Sequence, residues 1–146
     1  MAVPTDSDLA RESVLDWSAL GGWPLCSLRE GHPHRAELSL ALARAEIAPD
    51  VRVEGQFFAG MLHFVAAGQG LMVVDLLTRA HEAAARSTGG GVTFVDLAHP
   101  ILYRYAIYTP RHRPPSLLAR RVVPAWREEV RALLGTLEQA DGRGGG

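Results

Sequence analysis

The residues best suited to bind a ligand lie where a predicted strand meets a predicted helix. The strand ends at Gln56, and the helix is predicted to begin directly afterwards, near Phe58 or Ala59. A helix start carries free backbone N–H groups and the positive end of the helix dipole, so it can bind a carboxylate or a similar anion. Gly55 permits close backbone approach, Gln56 offers a donor and an acceptor, and the two phenylalanines that follow supply an apolar wall. An ordinary buried strand–helix turn explains the same residues equally well.

No motif of nucleophilic or acid–base catalysis is present in the sequence. The Gly-x-Ser-x-Gly elbow of serine hydrolases is absent, and His81-Glu82 lacks the second histidine of a zinc-protease helix. The glycines at 89–91 precede no Lys-Ser or Lys-Thr pair, so they predict a flexible turn and not a phosphate loop. His63, on an apolar predicted helix, fits a buried and hydrogen-bonded histidine better than a general base. We therefore expect a protein that is not an enzyme.

The sequence also contains few groups for a metal or a cofactor. His32-Pro33-His34 could hold one side of a metal ion, but no cysteine or carboxylate cluster at ligand spacing accompanies it. A surface loop is the competing interpretation of this segment. The single cysteine, Cys26, cannot form an intramolecular disulfide, and its apolar strand indicates a small core residue. We expect neither a bound metal nor a cofactor.

Length, charge and composition favour one cytoplasmic domain. The chain has 146 residues, of which 47% are hydrophobic and 21% charged, and its formal net charge is −1, whereas a nucleic-acid module normally carries a basic excess. The N-terminal residues show neither the basic start nor the apolar core of a signal peptide. One uncharged stretch, 55–74, is long enough to span a membrane, but its polar residues and four glycines favour a buried strand, a helix and a second strand.

Strands and helices alternate along the chain, and this pattern predicts an α/β fold. Residues 1–14 are expected to form an extended or frayed lead-in, and the glycine-rich tail is expected to be disordered. Ser116 is expected to cap a final helix in which Pro124 introduces a kink or a restart. The predicted strands are 23–28, 51–57, 71–74, 92–97 and 103–109, and the predicted helices before the last one are 35–47, 59–67 and 76–85, after a helical turn at 16–20.

Several segments, in the right order, resemble the effector-binding domain of LysR-type transcriptional regulators. The clearest is the turn Val65-Ala66-Ala67-Gly68-Gln69-Gly70, which joins a predicted helix to the apolar run Leu71-Met72-Val73-Val74. The segment from Leu15 to Leu25 is similar to the family's short lead-in with Leu, Gly and Pro, and His34-Arg35 precedes a helix as in the family. Gln69 departs from the small apolar residue that the family usually has in this turn. The resemblance extends over residues 14–135.

The resemblance implies a type II periplasmic-binding-protein-like fold from which most of the first subdomain is missing. Residues 15–98 would form the second subdomain. Residues 99–136 would cross back and supply the C-terminal strand and helix of the incomplete first subdomain, while 1–14 and 137–146 would be the lead-in and a disordered tail. Neither the winged helix-turn-helix nor the linker helix of a full-length regulator is recognisable, so the resemblance implies a truncated regulator.

In this family, effectors bind in the cleft between two subdomains. Because most of the first subdomain is missing here, we expect only the wall of the cleft that the second subdomain forms. The positions that match this wall are Glu54, Gln56, Phe57 and Phe58, with His99 and Pro100 at the hinge. The resemblance implies a small, anionic effector and no direct contact of this chain with nucleic acid or membrane. A strand without its neighbours would expose apolar surface, so we also expect self-association or pairing with another regulator chain. Two alternatives stay open: a small α/β enzyme acting on an anionic substrate, and a free solute-binding protein.

Overall fold

The predicted helices and most of the predicted strands are present, in the order that the sequence pattern indicates. A computed structural model describes residues 1–103, 105–109, 111–112 and 114–141, with side chains as far as residue 135. The chain divides into two units, Met1–Leu102 and a second unit that begins at Tyr103. The strands are β1 (Ala2–Pro4), β2 (Val14–Leu15), β3 (Pro24–Leu28), β4 (Asp50–Gly55), β5 (Val92–Phe94) and β6 (Asp96–Leu97), and the α-helices are α1 (Pro33–Arg44), α2 (Phe58–Ala66), α3 (Leu76–Ala85) and α4 (Leu117–Asp141).

Residues 71–72 join the strands of the first unit into one row. β3 pairs with β4 in parallel, and Leu71 forms a parallel bridge to Leu25 of β3. Met72 forms an antiparallel bridge to Ala2 of β1, and β1 pairs antiparallel with β5. Backbone hydrogen bonds therefore connect β4, β3, residues 71–72, β1 and β5 in that order. A separate parallel pair joins β2 to β6.

Successive residues of a strand point to opposite faces of the sheet. Both faces of this row carry apolar side chains, and helices pack against both. On one face, Leu38 and Leu42 of α1 pack with side chains of the strands, and on the other face α2 does the same. The first cluster includes Val3, Leu15, Trp17, Leu20, Leu25, Leu71, Val73 and Val95, and the second includes Ala2, Cys26, Leu28, Met61, Leu62, Val65 and Met72. A strand that is buried on both faces consists of apolar residues. The run that begins at Leu71 has this composition.

The turn after α2 brings the chain back into the sheet beside β3. Gly68 N donates to Val65 O at 2.9 Å, and the next N–H donates to Phe64 O at 2.9 Å, which is the pattern of a Schellman motif. The φ angles are +71° at Gly68 and +156° at Gly70, values that favour glycine. A Cβ on Gly70 would lie 2.6 Å from the backbone oxygen of Pro24. The backbone of residue 70 must therefore pass directly against β3.

The N-terminal segment is more deeply built into the fold than the sequence indicates. Residues 2–4 are extended, as β1, but the lead-in expected over residues 1–14 is not frayed there, since residues 1–4 are all buried. β1 lies inside the row because Ala2 exchanges backbone hydrogen bonds with Met72 at 2.7 and 3.0 Å on one side. On its other side β1 pairs with β5. The strand predicted at 71–74 is correspondingly short, and only Leu71 and Met72 form bridges.

The second unit differs from its predicted structure in three respects. Described residues 103 and 105–109 form no strand, since an isolated strand has no partner for its backbone groups and the described part of this unit contains no other strand. Ser116 does cap α4, as predicted, because its Oγ accepts from Ala119 N at 3.1 Å. Pro124 lies inside one continuous helix, so the predicted restart does not occur. α4 also extends into the tail expected to be disordered, of which residues 142–146 lie outside the described residues.

The uncharged stretch 55–74 forms no membrane span among the described residues. It is divided between the end of β4, the nine-residue helix α2 and the two bridging residues of the sheet. None of the helices in the described part of the chain is long and apolar enough to cross a membrane. The stretch is therefore a strand end, a helix and a bridging segment, but it is not buried throughout, because residues 56–57, 59–60, 63–64 and 67–69 are exposed.

The contact between residue 70 and β3 predicts unequal costs for two glycine substitutions. Gly68→Ala places a side chain at positive φ with nothing within 4 Å, so we expect a loss of about 1 kcal/mol of unfolding free energy. Gly70→Ala adds a collision with the backbone of Pro24, which cannot move without shifting β3, and we expect about 2 kcal/mol beyond the Gly68→Ala loss. Urea denaturation of both variants measures the difference. Equal losses would contradict the close approach.

Candidate functional site at the carboxyl edge of the sheet

Three helices begin at one edge of the sheet. β3 and β4 run parallel, and Leu71 lies parallel to β3, so the carboxyl ends of these three segments lie on the same side. α1 follows β3, α2 follows β4, and α3 follows the segment that begins at Leu71. Open α/β sheets bind ligands at this edge, where helix N-termini supply backbone N–H groups. The predicted anion-binding start of α2 is one of the three.

Side chains cap α1 and α3 but not α2. His32 precedes α1 and accepts a hydrogen bond through Nδ1 from His34 N at 3.1 Å. Asp75 precedes α3, and its Oδ1 accepts from Thr78 N at 2.7 Å. Phe57 precedes α2 and makes no such hydrogen bond, since it has no side-chain acceptor. Of these three helices, α2 is therefore the one whose first N–H groups receive no side-chain cap.

The end of β4 is held in place by the segment that connects β3 to α1 and by the first turn of α1. Arg35 Nη2 lies 3.8 Å from Glu54 Oε1, and the arginine side chain is only 14% exposed. Arg29 N donates to Gly55 O at 3.0 Å. A Cβ on Gly55 would collide with the Sδ of Met61, so a larger residue there would require the Met61 side chain to move. Glu54 therefore compensates the charge of a largely buried guanidinium and is not a free carboxylate.

Gln56 and the two phenylalanines differ in exposure. Gln56 is exposed, and Phe57 is 75% exposed, an unusual degree for so large an apolar side chain. Phe58 is half-buried, and its ring meets that of His34 edge to face with centroids 4.7 Å apart and an interplanar angle of 76°. The structure thus places Glu54, Gln56 and both phenylalanines together in one segment at the sheet edge.

His34 belongs to this site but is missed by the sequence analysis. It lies in the first turn of α1 and is only 3% exposed. Burial lowers the pKa of His34 from 6.5 to about 4, with a further decrease caused by His32, while Asp75 and a backbone hydrogen bond of Val73 act in the opposite direction. The ring is therefore neutral at pH 7. The sequence signal was present, since histidine directly follows a proline at a predicted helix start, but its burial depends on packing against α2.

His99 and Pro100 lie in a different place from the other predicted site residues. Trp17 Nε1 donates to His99 O at 2.9 Å, which fixes the backbone there. Both residues line a cavity of about 660 Å³ that none of residues 54–58 lines. Its other lining residues are Asp16, Trp17, Glu37, Ala41, Arg44, Ala45, Ile101 and Leu102. The structure therefore separates the six predicted site residues into two groups.

The remaining candidates have structural explanations. His63 is exposed, so the expectation of a buried histidine is wrong; it lies on α2 between Leu62 and Val65, which face the core. Cys26 is 1% exposed and belongs to the core, as predicted, and burial raises the pKa of its thiol to about 11. His32 and His34 serve α1 as a cap and as a packed side chain. Throughout the described ranges, no three histidine, cysteine or carboxylate side chains are arranged to hold a metal ion.

Comparison with known proteins identifies the family. The sequence matches the family model of the LysR substrate binding domain over residues 1–131, and the chain belongs to this family. Its structure is similar to that of HinK, a LysR family transcriptional regulator from Pseudomonas aeruginosa, with 19% identity and a TM-score of 0.56 over 68% of this chain and 33% of HinK. The PA01 protein of the same organism, assigned to the same family, gives 19% identity and a TM-score of 0.55 over 68% of this chain and 34% of that protein. A search of curated proteins gave no significant match.

These matches confirm the resemblance and the fold class that the sequence predicts. The α/β architecture with helices on both faces of small sheets is that of the LysR substrate binding domain, a type II periplasmic-binding-protein-like fold. The TM-scores show a shared fold despite the low sequence identity. The chain spans about a third of the length of the two regulators to which it is similar.

Proposed function

We propose that this chain is the effector-sensing part of a LysR-type regulator and binds a small anionic molecule at the start of α2. The observation that carries this proposal is the uncapped first turn of α2, at an edge where His32 and Asp75 already cap the neighbouring helices. Backbone N–H groups at such a start bind carboxylates well because they are fixed in place and supported by the helix dipole.

The neighbouring side chains support a ligand with an anionic group and an apolar part. Gln56 is exposed beside the helix start and offers both a donor and an acceptor. Phe57 presents a largely exposed ring on the same segment. Glu54 opposes an anion less than a free carboxylate would, because Arg35 lies against it. In this proposal, the N–H groups and Gln56 bind the anion, and Phe57 contacts the apolar part.

We propose binding without catalysis. Two carboxylates at this edge, Glu54 and Asp75, are engaged by Arg35 and by the backbone of Thr78. His34 is buried against Phe58 and is positioned as a packing group. A small α/β enzyme would need an acid, a base or a nucleophile directed at the start of α2. Among residues 54–58, Glu54 is paired with Arg35 and the others carry no acidic or basic group, and this favours the effector-binding hypothesis over the enzyme alternative.

The wider role follows from the family. Members such as HinK are transcriptional regulators, so we propose that this chain acts in the cytoplasm as a regulatory domain and does not itself contact DNA. Effector binding would then favour one arrangement of a regulator over another. We further propose that the segments around His99 and Pro100 mark the point where the chain leaves the effector-binding subdomain, near the hinge of such a regulator.

Thermal denaturation tests ligand binding directly. A panel of small carboxylic acids is compared with the corresponding neutral amides at equal concentration. An acid present at 100 times its Kd stabilises the fold by about 2.7 kcal/mol, which for a chain of this size raises Tm by roughly 8 °C. We expect at least one acid to raise Tm while its amide does not. We also expect Gln56→Ala or Phe57→Ala to reduce that shift by half or more.

Gln69→Ala serves as the matched control, since Gln69 is also exposed but lies in the turn after α2. Its Tm shift with the same acid should equal that of the wild type. The proposed site would be contradicted if no acid produced a shift, or if Gln69→Ala and Gln56→Ala changed the shift equally.

We also propose that the chain associates with a second copy through α4. Described side chains near its start remain exposed although they are apolar: Leu117 is 81%, Leu118 71%, Val122 52% and Trp126 43% exposed. Leu118, Val122 and Trp126 recur every four residues, so they form one stripe along the helix. An exposed apolar stripe of this kind is typical of an interaction surface.

Light scattering combined with size-exclusion chromatography tests this association. We expect the wild type to show the mass of a dimer or larger species at micromolar concentration. Leu118→Gln should shift the equilibrium toward monomer, whereas Arg120→Gln, on the same helix but polar in both forms, should not. A wild type that is monomeric at all concentrations would refute association through this stripe.

A further inference from the structure

The segment that connects β3 to α1 and the first turn of α1 contact the candidate effector site at three points. Arg29 N donates to Gly55 O, Arg35 pairs with Glu54, and the ring of His34 packs on Phe58. The contacts therefore reach both the end of β4 and the first residue of α2. The two site residues between them, Gln56 and Phe57, make no such contact and are exposed.

Among these contacts, the one made by His34 is the most deeply buried. Its side chain is 3% exposed, whereas Glu54, in the neighbouring ion pair, has a side chain that is 46% exposed. The backbone of Val73, which belongs to the segment leading to α3, lies close enough to the His34 ring to raise its pKa. One side chain of α1 thus contacts α2 on one side and the chain leading to α3 on the other.

We propose that His34 is a positioning residue of the candidate effector site: its ring fixes Phe58, and with it the first turn of α2, against α1 and residue 73. This inference rests on the proposed function, since it assigns a role at the same site. His34 does not contact the ligand itself. It sets the position of the backbone N–H groups and of the segment that carries Gln56 and Phe57.

The contact depends on the protonation state of the ring. His34 is neutral at pH 7, and the decrease of its pKa to about 4 means that protonation occurs only in acid. The groups that act on its charge are His32, which disfavours protonation, and Asp75, which favours it. The adjacent pair of Arg35 and Glu54 has no net charge. A protonated ring gains a strong requirement for water, so we expect its contact with Phe58 to weaken as it becomes charged.

Fluorine NMR of the protein labelled with 4-fluorophenylalanine tests this role without any ligand. The chain contains four phenylalanines, which are assigned by replacing each with leucine. Between pH 7 and pH 3.5, the Phe58 resonance should move with a midpoint near the pKa of His34, about 4, while the resonances of Phe64 and Phe94 stay in place. Circular dichroism over the same range establishes that the protein remains folded.

Three variants complete the test. His34→Gln should shift or broaden the Phe58 resonance at pH 7 and remove its titration. His34→Tyr restores an aromatic ring that carries no fluorine label and does not titrate in acid, so it should return the sharp resonance at pH 7 and keep it constant in acid. His81→Gln, an exposed histidine of α3, should behave as the wild type.

An unchanged Phe58 resonance in His34→Gln would overturn the proposal, as would a midpoint shared equally by all four phenylalanines. Because the experiment contains no ligand, its outcome is independent of the carboxylic acid panel. Failure of every acid to bind would refute the proposed function and leave the ring contact measurable. Failure of the fluorine experiment would refute the role of His34 and leave the acid-binding proposal standing.

Discussion

The fold depends on the backbone hydrogen bonds that residues 71–72 make on both sides. Leu71 exchanges hydrogen bonds of 2.8 Å with Pro24 O and Cys26 N, and Met72 does the same with Ala2 at 2.7 and 3.0 Å. These bonds join the parallel pair of β3 and β4 to the antiparallel pair of β1 and β5. They also require residue 70 to pass so close to β3 that only glycine fits. The common edge from which α1, α2 and α3 begin exists because this short segment lies parallel to β3.

The electrostatics of that edge follow from how each helix start is satisfied. His32 and Asp75 close the starts of α1 and α3 with their own side chains, and Arg35 compensates Glu54. Phe57 can do neither, so no side-chain cap meets the partial positive charge of the α2 start, and we therefore propose that an external anion binds there. The difference between the three helices is thus a difference of one residue type at each cap position. Every helix start attracts anions, and among these three the start of α2 is the candidate site because it has no side-chain cap.

Local sequence signals predicted the helices well and the strands less well. The bounds of α3, Leu76–Ala85, follow from Asp75 as cap and from the turn residues after the helix, all within the segment itself. β1 was missed because its partners, Met72 and β5, lie about 70 to 90 residues away in sequence, and three residues carry no periodicity. The alternating apolar pattern over 103–109 predicted a strand, but described residues 103 and 105–109 form none. A strand pattern needs a neighbouring strand to form hydrogen bonds with.

The residues of the candidate site also divide into those that local sequence signals predicted and those whose position depends on contacts between distant segments. Glu54, Gln56 and the two phenylalanines were found because they are consecutive in sequence and end a predicted strand. His34 was not, because its burial against Phe58 depends on the packing of α1 against the start of α2. His99 and Pro100 were assigned by family position alone, and the structure places them beside Trp17, in a cavity separate from the α2 start. The positions of His34, His99 and Pro100 thus depend on contacts between secondary-structure elements and cannot be deduced from residue type alone.

The central claim is that the uncapped start of α2 binds an anion, and nitrogen–proton correlation NMR tests it most directly. A small carboxylic acid is titrated into the isotope-labelled protein, and the backbone amide shifts are followed residue by residue. The account predicts that the largest shifts occur at Phe58, Ala59 and Gly60, with smaller ones at Gln56 and Phe57. Shifts confined to Trp17, Ala41 and Ile101, around the other cavity, with the amides of α2 unchanged, would contradict it.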